Sequence, residues 1–188
     1  MTHASGERDA GIGQTGEIDG GARRSRPIRE LVEGTWPMRA CGASGVKVSD
    51  EIHKAYTDIK KSKKYRYIIF HIKDDKEICI ETYGDRDATY DDYLQHLSNV
   101  GPEQCRYGLY DFEYEHACQG TSDTKKQKLF LMSWCPDTAK IKKKMLYSSS
   151  FDALKHALEG VGKYIQATDM AEASYECVLE KCRSTDRS

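Results

Sequence analysis

The chain has 188 residues, enough for one domain with a modest core and some length to spare. Its apolar share is low at 38% and its charged share high at 31%, yet the formal net charge is only −1. That balance gives no bulk attraction to nucleic acid or membrane, so any electrostatic function must come from local patches.

No apolar run approaches a membrane span, and the first thirty residues lack the hydrophobic region of a secretory signal. The seven cysteines, at 41, 79, 105, 118, 135, 177 and 182, are odd in number and form no CxxC pair. Neither a disulfide framework nor a zinc module is suggested, and no metal or cofactor is expected. The chain reads as a reduced, cytosolic protein, with Cys79 and Cys135 as small buried residues of apolar stretches.

Residues 1–42 hold eight of the fifteen glycines and no periodic apolar pattern. Such a stretch cannot bury enough surface to offset its ordering entropy and reads as a disordered leader. From Val48 the pattern changes. Ser49 or Asp50 can cap a helix carrying Ile52, Ala55, Tyr56 and Ile59 at helical spacing. The basic run Lys60, Lys61, Lys63, Lys64 ends it, and a β-rich segment Tyr67–Ile72 follows. Asp74-Asp75-Lys76 is a turn, and Glu77–Thr82 returns to complete a hairpin. A helix over about Tyr90–Leu97 is stopped by Asn99, Gly101 and Pro102.

The next strand, Cys105–Glu115, is long and aromatic. A polar loop from Gln119 to Lys128 leads into Leu129–Trp134, whose near-continuous apolar run suits a central strand. After Pro136, Asp137 or Thr138 can open a long helix with Ile141, Met145, Leu146, Phe151, Leu154 and Leu158. Serines 148–150 sit within that helix, where hydroxyls compete for backbone carbonyls. Gly160 and Gly162 end it. A short strand Tyr164–Ala167 and a helix from about Met170 to Lys181 complete the chain. Five strands interleaved with four helices argue for an α/β domain, a mixed sheet covered by helices.

Three stretches resemble one family. Ala43-Ser44-Gly45-Val46 before a helix looks like the cofilin N-terminus, and Cys105-Arg106-Tyr107-Gly108-Leu109-Tyr110-Asp111 is similar to its CRYxLYD strand. Trp134 to Ser150 resembles the WxPxxAxxKxKMxYxSS signature that opens the family's long actin-binding helix. The resemblance to the actin-depolymerising factor/cofilin family spans residues 43–183, and its details look most like insect cofilins. It implies an actin-depolymerising-factor homology domain over 43–188, a central mixed sheet of five or six strands flanked by helices on both faces.

The resemblance also implies function: binding of actin monomers and filaments with preference for ADP-actin, and severing and depolymerisation without catalysis. Carried over residue by residue, the first actin contact uses Ser44, Gly45, Val46, Lys142, Lys144, Met145 and Ser150. The residues themselves suit this role, because Lys142 and Lys144 can flank a face of Ile141 and Met145 that enters a hydrophobic cleft. The alternative is a solvated basic helix start with Met145 in the core. A second contact, needed along a filament, is expected from Lys125, Lys126, Glu180, Lys181 and Arg183.

Ser44 occupies the family's regulatory phosphorylation position, which brings LIM-type kinases and cofilin phosphatases as partners. Lys125, Lys126, Lys142, Lys143 and Lys144 are the expected phosphoinositide contacts, and competition with actin would follow because the same charges serve both. Lys60, Lys61, Lys63 and Lys64 read equally as a nuclear localisation signal or as a helix-end charge run. Some vertebrate relatives carry a pH-sensing histidine where this chain has Lys163, so that switch is not expected. A monomeric protein of the actin cytoskeleton is the leading reading. A non-severing, coactosin-like actin binder is the alternative, and a thiol hydrolase built on His116 and Cys118 lacks any motif to orient either group.

Overall fold

In the computed structural model, residues 45–116 and 124–184 are described. Six strands form one mixed sheet: β1 (Lys47–Val48), β2 (Tyr65–Lys73), β3 (Glu77–Asp85), β4 (Arg106–His116), β5 (Thr124–Trp134) and β6 (Lys163–Ala167). Their spatial order is β1-β3-β2-β4-β5-β6, antiparallel inside and parallel at the two edges. Four helices cover it: α1 (Asp50–Lys60), α2 (Tyr90–Ser98), α3 (Ile141–Ala157) and α4 (Tyr175–Ser184).

Strand alternation divides the core into two layers. On one face Ile68, Phe70, Tyr107, Leu109, Leu129 and Leu131 pack against α1 and α3. On the other, Tyr67, Ile69, Tyr110, Phe112, Phe130 and Met132 pack against α2 and α4. Eight of the twelve tyrosines are buried, which is how a chain with so few aliphatic residues fills two layers. Several of their hydroxyls find partners, though that of Tyr93 does not: Tyr56 donates to the Glu159 carbonyl at 2.7 Å and Tyr90 to that of Ala173 at 2.6 Å. Tyr147 on α3 accepts the Ile72 amide at 2.9 Å, which ties the long helix to β2. Gly108, inside the CRYxLYD stretch, is required by packing, since a Cβ there would overlap the Tyr93 ring and hydroxyl.

One charge is built into the sheet. Asp111 is fully buried, and its carboxylate takes Arg86 at 2.6 Å, Lys63 at 3.1 Å and the Gln127 amide at 2.8 Å. Arg66 reinforces the group by donating to the Asp111 carbonyl at 3.3 Å. Removing a partner from such a buried set is costly, so Asp111 fixes how β2, β4 and β5 meet.

Several sequence expectations shift. The region read as a polar loop up to Lys128 is already strand from Thr124, because Glu115 faces Lys125 and Glu113 faces Gln127 across the β4–β5 ladder. One pair of opposed charges and the Gln127 amide, which donates to the Glu113 carboxylate at 3.0 Å, stabilise that pairing although the apolar pattern there is silent. The long helix starts at Ile141, after a turn closed by the Ala139 amide on the Pro136 carbonyl at 2.9 Å. The last helix starts at Tyr175, since Asp169 first caps a turn through the Glu172 amide at 2.8 Å. Ser49 occupies the N-cap of α1 without a side-chain bond, whereas α2 carries a full capping box between Thr89 and Asp92. Cys79 and Cys135 are only half-buried; among the described residues Cys105 and Cys182 are the buried thiols.

Candidate functional site

The first turns of α3 carry two apolar side chains on the face opposite the core. Tyr147, Ser150, Phe151 and Leu154 point inward, while Ile141 and Met145, one turn apart, are 76% and 67% exposed. The reading that placed Met145 in the core is therefore excluded.

Lysines frame this apolar pair, and carboxylates hold them. Lys142 and Lys143 share Asp75 at 3.4 and 3.3 Å, and Lys144 reaches Asp137 at 3.2 Å. Asp75 sits in the three-residue β2–β3 connection, where Asp74 and Asp75 have positive φ as the central residues of a turn closed by the Lys76 amide on the Lys73 carbonyl at 3.0 Å. The hydrogen bond from Lys143, then its charge and that of Lys142, holds the Asp75 carboxyl below its ordinary range. These pairs lie in solvent and are individually weak, so a partner can exchange them for its own acidic groups at little cost.

The same hairpin turn docks the start of the domain. The Lys47 amide bonds the Lys76 carbonyl at 2.9 Å, and Val46 is completely buried. Gly45 turns the chain at φ +70°, a conformation suited to glycine. Gly45 and Val46 thus lie beside the turn that carries Asp75. Two carried-over contacts need correction. The Val46 side chain is core, and so is Ser150, whose hydroxyl donates to the Leu146 carbonyl at 2.7 Å. Both side chains are buried beneath the site. Ser44 lies outside the described residues, as does Cys118, and nothing is described of the His116 side chain.

A second surface gathers at the other end of β5. Lys125 and Lys126 open the strand, and Arg183 at the end of α4 donates to the Glu115 carbonyl at 2.7 Å. With Tyr114, Tyr175 and Leu179 they line an open cleft of about 560 Å³. Glu180 borders a smaller adjoining cleft with Arg183, while Lys181 lines neither of the two. From Lys125 to Trp134 the strand takes nine steps, which at about 3.3 Å each span roughly 30 Å, and the two surfaces lie toward its opposite ends.

The five expected phosphoinositide lysines therefore fall into two groups, Lys142, Lys143 and Lys144 at one end and Lys125 and Lys126 at the other. Of the basic run after α1, Lys63 is bound to buried Asp111 and Lys60 to the Glu159 carbonyl at 3.1 Å, while Lys61 is exposed and Lys64 lies over the Tyr65 ring. Asp75, Asp137, Tyr175 and Leu179 were missed as site residues. Only the turn signal at Asp74-Asp75 pointed to any of them. Among the described residues no group of His, Cys, Asp and Glu could hold a metal ion, and no helix is long and apolar enough to cross a membrane.

Comparison with known proteins agrees with this geometry. The family model for cofilin/tropomyosin-type actin-binding proteins matches residues 45–183. Cofilin of Ogataea parapolymorpha is 47% identical over 144 residues, covering 76% of this chain and 95% of the relative. Cofilin of Saccharomyces cerevisiae is 42% identical over 139 residues, covering 73% and 92%. The crystal structure of Streptomyces griseoflavus cofilin superposes with TM-score 0.64 at 40% identity, over 73% of this chain and 99% of that one. Human coactosin-like protein shares the fold at TM-score 0.61 but only 14% identity. These matches bear on the family rather than on an insect subgroup. The family consists of actin-binding proteins, not enzymes, and on the strength of its model match, its relatives and its fold this chain belongs to the actin-depolymerising factor/cofilin family.

Proposed function

We propose that the chain binds actin monomers and filaments, favours ADP-actin, and severs and depolymerises filaments by contacting two neighbouring subunits. The observation that carries this reading is the placement of two unlike surfaces toward opposite ends of β5. The apolar pair Ile141 and Met145, ringed by lysines, suits insertion into a hydrophobic cleft with an acidic rim. The Lys125, Lys126 and Arg183 cleft suits an acidic face on the adjacent subunit. A protein that prefers a differently twisted filament shifts the filament toward that twist, and boundaries between decorated and bare segments break.

Regulation follows from the same charges. Phosphate on Ser44 would add close to two negative charges, which would repel an acidic partner and compete for the domain's own lysines. Phosphoinositide head groups would compete with actin for Lys142, Lys143 and Lys144 at one end and for Lys125 and Lys126 at the other. The protein then works in the cytoplasm on the actin cytoskeleton.

The test is microscopy of labelled, aged actin filaments with the full chain and with a version beginning at Ala43. Severing by both supports the proposal with the leader as a passive tail, and severing by the trimmed form alone assigns the leader a blocking role. Saturating binding without severing by either form replaces the proposal with a non-severing actin binder.

A further inference from the structure

The cleft at the start of β5 carries acids that an acidic partner should avoid. Beside Lys125, Lys126 and Arg183 it is lined by Glu113 and Glu115. Glu115 stands opposite Lys125 in the β4–β5 ladder, so a charge of the other sign lies beside it. Glu113 stands opposite Gln127, whose amide donates to it at 3.0 Å but brings no charge. The Glu113 side chain is 47% exposed, and a bare carboxylate there would repel an acidic face at close range.

Its counter-charge comes from beneath. Arg66 on β2 reaches Glu113 at 3.1 Å, and Arg86, just after β3, pairs with the same carboxylate oxygen. Neither arginine is among the described residues that line the cleft. The other terminal nitrogen of Arg86 holds buried Asp111 at 2.6 Å, so one guanidinium is forked between two carboxylates. Arg66 is fixed in turn, with Nε donating to the Arg86 carbonyl at 3.1 Å and Nη1 to that of Asp111 at 3.3 Å. A planar fork held at both prongs cannot follow a swinging carboxylate, so the carboxylate is kept where the fork is. Through Asp111 the arrangement is anchored in the sheet rather than on the surface.

We propose that Arg66 and Arg86 are positioning residues of the second actin surface: they hold Glu113 down and cancel its charge, so that Lys125, Lys126 and Arg183 can meet an acidic face. This rests on the reading of that cleft as the contact with the neighbouring subunit. Arg86 acts through Glu113 and touches no partner itself. Its loss would therefore free a negative charge in the cleft, which is a different effect from deleting a contact.

The experiment is a double-mutant cycle on the full chain with Arg86→Ala, Glu113→Gln and both together. Filament co-sedimentation and monomer binding are measured below the urea midpoint of each variant. Arg86→Ala should bind filaments about 5-fold more weakly, the scale of one like charge at contact range in water, and monomers as wild type does. Adding Glu113→Gln to it should restore filament affinity to at least the wild-type level. Glu113→Gln alone should tighten binding by no more than about 2-fold, because its charge is already cancelled. That single variant keeps Arg86 on Asp111, so it tests the proposal even if Arg86→Ala fails to fold. An equal gain from Glu113→Gln in both backgrounds, a double variant as weak as Arg86→Ala, or a parallel loss of monomer binding would each overturn the proposal. A wild type that binds monomers but not filaments would overturn the reading of the cleft, and this inference with it.

Discussion

Truncating Met145 to alanine separates binding from folding, because the side chain is 67% exposed in the free protein. Full burial of a Met or Ile side chain is worth about 1.5–3 kcal/mol. With two thirds of its surface still open, Met145 stands to gain about 1–2 kcal/mol when it docks, so Met145→Ala should weaken filament binding by roughly 10-fold. Ile141, 76% exposed, gives a similar figure, and the double variant should lose on the order of 100-fold. Stability should hardly move, by no more than about 0.5 kcal/mol, since no core contact is lost and alanine is at least as good a helix former. Phe151→Ala is the contrast: that side chain is 3% exposed and its loss should cost about 3–5 kcal/mol of folding free energy. Co-sedimentation with filaments reads affinity, and urea unfolding reads stability. If Met145→Ala binds within about a factor of two of wild type, or unfolds as early as Phe151→Ala, the assignment of this face to a partner is wrong.

Two further outcomes follow from the charges. Asp111→Ala leaves Arg86 and Lys63 without their buried acceptor, and urea unfolding should show a loss of about 3 kcal/mol; this is the lower end for a broken buried pair, because Arg86 also reaches Glu113 and is partly solvated. The Asp75 carboxyl is held below its ordinary range in the folded state, so its contribution to stability is complete above the unfolded value and disappears only as pH falls through the lower, folded one. NMR should therefore show Asp75 titrating below a model aspartate, with the wild-type and Asp75→Asn stability difference flat between about pH 6 and 8; a midpoint at or above the model value refutes the pairing with Lys143 and Lys142.

Much of this domain could be read along the chain. The period in Ile52, Ala55, Tyr56 and Ile59 marked α1, and the tight turn at Asp74-Asp75 marked the first hairpin. Errors cluster where local pattern and tertiary pairing disagree. Lys125 to Lys128 look like loop because their strand is held by pairing with Phe112 to Glu115 of β4, which lie outside the local window. β1, only two residues long, exists because β3 offers it an edge.

The sequence by itself determined the family and the order of the main elements, since short motifs and periodicity are local properties. Only the tertiary structure decided which side chains a partner can touch. Along α3 apolar residues lie on both sides, and periodicity cannot tell a face that meets the sheet from one that meets solvent. Once Tyr147 is bonded to β2 and Phe151 is sealed beneath the helix, Ile141 and Met145 are left outside. The same packing draws Val46 and Ser150 in from the expected contact surface. Exposure is set by everything that packs around a residue, and no window of the chain contains that.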